Sequence, residues 1–305
     1  MLHFRNCALV FLMAVASAIS SAKVPAPARI TSVERLETFE GYEQARLRDD
    51  TPEQQRNRLI VAEYDRLFPF SDAAISSMSG DDLKAAFKAA YIAAFFAIDQ
   101  QHVSEMKSYL NSLVRKNVAV DQDFVKMHDI FIAARMFPEA NEIRAAHESL
   151  NMEKAPVIIG EPNAVHKPHK LTLGLQADVL TYQSVDLSGK VLVVIAHPLC
   201  HFSVNAIKAI SEQPALAEIF KGAVWLAPPG SRLNIPEVQR WNIDHPGAAL
   251  AFMDKREDWS MFDAWATPTF YFLSNGKVIE KVEGWPPSTG IDGFYRAAVR
   301  WKSAR

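Results

Sequence analysis

The chain is poor in cysteine, in unbalanced charge and in long apolar segments. It has two cysteines in 305 residues, Cys7 and Cys200, and position 203 is a serine, so no Cys-x-x-Cys pair exists. The 33 basic and 35 acidic residues are interspersed, which argues against a nucleic-acid-binding protein. Only one apolar stretch is long, and it lies at the N-terminus. These absences exclude dithiol chemistry within one motif, a polybasic surface and a multi-span membrane protein.

The N-terminus has the pattern of a secretory signal peptide. Arg5 precedes an apolar stretch from Cys7 to Ala16, and small residues follow up to Ala22. Cleavage after Ala18 or Ala22 would remove Cys7 and leave Cys200 as the single thiol. We therefore predict a signal peptide over residues 1–22, a periplasmic or secreted location, and no membrane span after cleavage. The alternative is an uncleaved anchor.

Residues 23–150 are predicted to form an all-α domain of helical hairpins. Thr51, Pro52 and Gln54 have the spacing of a helix start. Apolar residues then recur at helical spacing, and glycine is nearly absent from 51–150. The hairpins have some likeness to tetratricopeptide repeats, and a plain helical bundle is the alternative.

The pattern changes after a linker predicted over residues 151–170. Residues 171–305 predict an α/β sandwich, with strands over 171–175, 179–182, 191–195 and 224–227. Short helices are expected over 236–241 and 246–253. Asn275-Gly276 between two apolar runs predicts a β-hairpin, and an amphipathic helix closes the chain.

Cys200 follows the buried strand over 191–195 and precedes a predicted helix. A thiol at a helix N-terminus is favoured as a thiolate, the form that attacks disulfides. The alternative is an inert, buried cysteine.

Two motifs in this order make residues 171–305 resemble the thioredoxin superfamily, most closely its exported TlpA-like branch. The motifs are Cys200-His201-Phe202-Ser203 and Ala266-Thr267-Pro268-Thr269-Phe270. The resemblance implies an α/β thioredoxin-like sandwich, a cis peptide bond before Pro268 and a backbone at Thr267 turned towards Cys200. The chain departs from the family pattern at Ser203, where the second cysteine is missing, and at Leu199, where an aromatic residue is usual.

The resemblance implies a monothiol exchange site. Cys200, His201 and Ser203 are the predicted catalytic residues, and Leu199, Trp265, Thr267 and Pro268 are predicted to contact the substrate. The expected partners are protein thiols or disulfides and a small thiol that resolves the mixed disulfide. No cofactor, metal or nucleic acid is expected.

Two alternatives remain at this stage. One is a redox-inactive adapter that binds protein partners through the helical domain and the cis-proline groove. The other is a copper or zinc site built from His197, Cys200 and His201, with His166 and His169 upstream.

Overall fold

The computed structural model describes residues 30–162, 167–174, 178–230 and 232–304. The predicted signal peptide over residues 1–22, including Cys7, and His166 lie outside the described residues. Seven α-helices occupy the first half of the described chain: α1 (Ser32–Arg48), α2 (Glu53–Leu67), α3 (Asp72–Ser77), α4 (Gly80–Ala97), α5 (Gln100–Arg115), α6 (Asp121–Ala133) and α7 (Phe137–Ala146).

Local sequence explains most of these helix starts. Ser79 and Asp99 cap α4 and α5 through hydrogen bonds that their side chains accept from the backbone amides of Asp82 and His102. The capping predicted from Thr51 and Gln54 is wrong in detail. Helix α2 begins at Glu53 after Pro52, with no side-chain cap. The Gln54 amide instead donates to the carbonyl oxygen of Asp263, 3.2 Å away in the second half of the chain.

Helix α4 is the central helix of this half and packs against α1, α2, α5 and α6. Its buried face is rich in alanine, which lets neighbouring helices approach closely; the buried alanines are Ala85, Ala86, Ala89, Ala90, Ala93 and Ala94.

The second half is built on one eight-stranded mixed sheet. The order across the sheet is β1-β3-β2-β6-β5-β4-β7-β8. The strands are β1 (Val157–Ile159), β2 (His169–Leu173), β3 (Val179–Ser184), β4 (Lys190–Ile195), β5 (Val224–Ala227), β6 (Leu250–Met253), β7 (Thr269–Ser274) and β8 (Lys277–Glu283). Strands β4, β5 and β6 are parallel to one another. Strand β7 runs antiparallel to β4, and β8 runs antiparallel to β7.

Among its described residues this half has four α-helices: α8 (His201–Glu212), α9 (Pro214–Phe220), α10 (Ile235–Asp244) and α11 (Gly290–Ser303). Strand β4 lies between β5 and β7 and is buried on both faces, with Val194 in one apolar cluster and Val193 in the other. Strand, thiol-bearing helix, strand, hairpin and closing helix follow in the order that the resemblance implies. The hairpin prediction is confirmed, since Asn275 and Gly276 both have positive φ angles, 50° and 74°.

Two predictions need correction. The short helix expected over 246–253 is a 3₁₀ turn, Pro246–Ala248, followed by strand β6. A short, fully buried apolar run has no diagnostic period, and pairing with β5 and β2 decides its conformation. The linker predicted over 151–170 contains β1 and the start of β2, because β1 pairs in parallel with β3.

The chain has an α/β fold with a helical region, and Thr31–Arg305 form one compact unit. A single apolar cluster contains residues of both halves, from Phe39 in α1 to Trp301 in α11.

Candidate functional site

Cys200 lies between the end of β4, at Ile195, and the start of α8, at His201. It is the N-cap residue of α8, with extended backbone angles, and is partly exposed. The first backbone amides of a helix have no partner within it, so the Cys200 side chain lies at the positive end of α8. The predicted position of the thiol at a helix N-terminus is confirmed.

The loop before β7 lies against the thiol. The Thr267-Pro268 bond is cis, as the resemblance implies, and the Cys200 thiol donates to the Thr267 carbonyl oxygen at 3.1 Å. The structure therefore brings Cys200 next to Thr267, which lies 67 residues later in the chain and is joined to Pro268.

Ser203 is fully buried one turn after the thiol. Its Oγ accepts a hydrogen bond from the backbone N–H of His197 at 3.3 Å, which leaves the hydroxyl proton free to point at the sulfur. A serine here can therefore donate a hydrogen bond to the sulfur of Cys200 but cannot form a disulfide bond with it.

The environment favours the thiolate of Cys200. Burial raises the pKa, and the hydrogen bond to the Thr267 carbonyl also favours the neutral thiol. These effects are outweighed by groups that favour the thiolate, namely the side chain of Thr267, the amide and hydroxyl of Ser203 and the amide of Phe202. The pKa of Cys200 is therefore lower than that of an ordinary cysteine.

His201 and Leu199 lie on the exposed side of the thiol. His201 Nε2 is 3.0 Å from Nδ2 of Asn205, and its ring contacts Phe202, whereas the groups that lower the pKa of Cys200 do not include it. Leu199 is 62% exposed and Phe202 53% exposed. Together they place an apolar surface beside the thiol.

Trp265 is buried two residues before Thr267. Its backbone N–H donates to Glu53 Oε2 at 2.8 Å, and its ring lies 5.8 Å from the guanidinium of Arg256. Glu53 begins α2, so the helical region holds the cis-proline loop directly. Nothing in the sequence signals this contact, because Glu53 and Trp265 are 212 residues apart.

His197 is a further polar residue behind the site. Its Nδ1 accepts from the Leu199 amide at 3.2 Å, and Nε2 lies 3.3 Å from Asn234 Nδ2. Burial lowers the pKa of His197, and the charge of Glu237 only partly opposes this. A neutral imidazole in this position supports the turn that carries Cys200. Among the described residues, no group of three or more His, Cys, Asp or Glu side chains is arranged to hold a metal ion.

Comparisons with known proteins give little beyond this geometry. No family model and no curated protein matches the chain. Among solved structures, a thioredoxin-like protein from Bacteroides caccae ATCC 43185 is similar over 82% of this chain and 94% of its own, at 15% identity and a TM-score of 0.30. A likeness at this level transfers no activity or residue role. In the part of the chain that the structure describes, no helix has the length and apolar character needed to cross a membrane.

Proposed function

We propose that this chain is an exported thioredoxin-fold protein of the TlpA-like type that exchanges thiols and disulfides through Cys200 alone. The observation that carries the proposal is the contact between Cys200 Sγ and the Thr267 carbonyl, 3.1 Å apart, at the N-terminus of α8. This contact combines a partly exposed sulfur of lowered pKa with a loop whose backbone can pair with an extended substrate.

The chemistry is disulfide exchange without net oxidation. The Cys200 thiolate attacks one sulfur of a partner disulfide, a new S–S bond forms, and the other partner sulfur leaves as a thiolate that takes a proton from solvent. Because position 203 is serine, the mixed disulfide persists until an external thiolate attacks the partner sulfur and releases Cys200. The resolving thiol is a small molecule or a second protein.

Reactivity as a function of pH tests the proposal. The rate of alkylation of Cys200 in the full chain should rise with an apparent pKa below about 8.5, the value of a free cysteine. The Cys200→Ser variant measures any contribution of Cys7 and is subtracted. An apparent pKa at or above that of a free cysteine would overturn the exchange function.

Export is tested separately. Mass spectrometry of the protein recovered from the periplasm or medium should give a mature N-terminus after Ala18 or Ala22. Recovery only from the cytoplasm, with residues 1–22 retained, would contradict the exported location.

One observation favours the adapter as the second candidate. Leu199 and Phe202 expose apolar side chains beside the thiol, and exposed apolar surface marks binding sites for proteins. An adapter would bind its partner equally well in the Cys200→Ser variant and less well in Phe202→Ser. An exchange protein would lose the covalent adduct in the first variant.

A further inference from the structure

A cavity of about 330 Å³ opens beside the cis-proline loop. Trp265 and Ala266 of that loop line one side, and the first turns of α2 together with the end of α4 line the other. Because Ala266 directly precedes Thr267, the cavity begins next to the carbonyl that contacts the thiol. A polypeptide paired with the Thr267 backbone would therefore pass the cavity mouth.

Two arginines, Arg56 and Arg256, line this cavity, which we call the arginine cavity. The side chain of Arg56 makes no hydrogen bond and no ion pair within 4.0 Å to any residue that the structure describes, and its Nε is buried. Its charge acts on Asp49, which is paired with Arg46 at 3.0 Å. Arg56 is thus a half-buried cation without a direct counter-ion.

Arg256 is also incompletely paired. Its Nε is buried without a partner among the described residues, and Nη1 donates to the Phe96 carbonyl over a long 3.5 Å. Its charge is attracted by Glu53 and Glu257. The arginine cavity therefore contains two guanidinium groups and one carboxylate, that of Glu53. The Oε2 atom of Glu53 already accepts a hydrogen bond from the Trp265 amide.

The remaining lining suits a polypeptide. Asn57 has a buried side-chain oxygen that lacks a donor among the described residues, and Phe95, which is 43% exposed, supplies an apolar wall. Asn57, Arg256 and Trp265 also line a second cavity of about 440 Å³ further along α2. A ligand carboxylate would accept hydrogen bonds from the two arginines, and a peptide N–H would donate to the side-chain oxygen of Asn57.

We propose that the arginine cavity binds an acidic side chain of the protein whose disulfide Cys200 attacks. This inference rests on the exchange function and specifies its substrate class as proteins with an Asp or Glu a few residues from the reacting cysteine. The cavity selects the substrate, and Cys200 performs the chemistry.

Peptide disulfides of about eight residues test this, because a few extended residues span the distance from the thiol to the cavity. Each carries one cysteine as a mixed disulfide with 2-mercaptoethanol and one test residue, Glu, Gln or Lys, placed two to four positions from it. The full chain should react fastest with the Glu peptide. A buried or half-buried ion pair of about 1 kcal/mol corresponds to a preference of about fivefold over Gln.

Arg56→Gln should remove most of the preference for the Glu peptide over the Gln peptide. Arg66→Gln is the matched control, because Arg66 lies on the same helix, is exposed and pairs with Glu63 at 2.6 Å. The same change in net charge at Arg66 should leave the preference intact. Equal rates with all three peptides, or equal losses in both variants, would overturn the proposal.

Binding without chemistry separates the two proposals. In Cys200→Ser, calorimetry with peptides whose cysteine is replaced by serine should still show Glu favoured over Lys, and Arg56→Gln should abolish this. Selective binding by a protein whose Cys200 is unreactive would overturn the exchange function and leave the cavity supported. A reactive Cys200 with no selectivity in either assay would do the reverse.

Discussion

Ser203 decides what Cys200 can do. It is buried, its oxygen accepts from the His197 amide, and its hydroxyl and backbone N–H both lower the pKa of Cys200. It therefore supports ionisation of the thiol while withholding the second sulfur that would resolve a mixed disulfide. In the proposed exchange reaction, Cys200 can attack a disulfide, but Ser203 cannot release it from the mixed disulfide.

Removing the hydroxyl should make Cys200 less reactive. In Ser203→Ala the sulfur loses one donor, so its pKa should rise, and a hydrogen bond of about 1 kcal/mol predicts alkylation roughly three- to fivefold slower at pH 7. Ser211→Ala, which removes an exposed hydroxyl near the end of the same helix, is the control. An unchanged rate in Ser203→Ala would show that the hydroxyl does not bond to the sulfur.

Adding a second thiol at position 203 should give the protein dithiol activity. Ser203→Cys places a thiol where a hydroxyl now faces Cys200, and we expect a reversible internal disulfide and insulin reduction at least about tenfold faster than with the unmodified chain. Mass spectrometry detects the loss of two hydrogens on oxidation. If no internal disulfide forms, the geometry assigned to Ser203 is incorrect.

At the scale of single elements, the start of α5 carries a charge network that joins it to α2. His102 Nδ1 lies 2.8 Å from both carboxylate oxygens of the N-cap Asp99, and Nε2 lies 3.1 Å from Asp65 of α2. Burial alone would lower the pKa of His102, but the hydrogen bonds and charges of Asp99 and Asp65 outweigh it and raise the pKa to about 9. The imidazole is therefore protonated at neutral pH.

This network predicts a loss of stability at high pH. A raised folded-state pKa contributes stability that is complete below about pH 6.5 and disappears as pH rises through about 9. Both carboxylates are partly exposed, so screening reduces the gain, and we expect about 1 kcal/mol. Urea unfolding between pH 6 and 9 should show this decline, and His102→Gln should flatten it.

The matched variant is His201→Gln, which changes an exposed histidine. It should keep the decline of the unmodified protein. A decline of the same size in His102→Gln would assign the pH dependence to other groups.

At the scale of the whole molecule, Arg135 joins the helices to the sheet. It follows α6, and its Nε and Nη2 donate to the Met253 carbonyl of β6 at 3.1 and 2.8 Å. Its guanidinium lies 6.0 Å from the ring centres of Phe137 and Phe252. Together with the apolar cluster that spans both halves, this contact predicts one cooperative unfolding unit.

A substitution of Arg135 should therefore lower the stability of the sheet as well as that of the helices. All six tryptophans lie at position 225 or later, so their fluorescence reports on the sheet half, whereas circular dichroism at 222 nm is dominated by the helices. Arg135→Met should lower the free energy of unfolding by about 2 kcal/mol and shift both midpoints equally. Arg300→Met, which breaks the exposed pair with Glu280, should have a much smaller effect on stability.

Two separate transitions, with only the dichroism midpoint shifted in Arg135→Met, would contradict a single unit. That result would support the independent helical and α/β domains that the sequence pattern predicts over 23–150 and 171–305.

The sequence by itself determined the features that depend on neighbouring residues. Helix caps such as Ser79 and Asp99, the Asn275-Gly276 turn and the strand-to-helix position of Cys200 each follow from a few adjacent side chains. The cis bond before Pro268 follows from the resemblance and not from local propensity.

The tertiary structure alone decided the features that depend on distant residues. Strand β6 is a strand because β5 and β2 flank it, and the first residues of α2, which lack a side-chain cap, bond to Asp263 and Trp265. The arginine cavity exists because α2 meets the cis-proline loop. These contacts join residues from 25 to 212 positions apart, and a periodicity read within a short window carries no information about them.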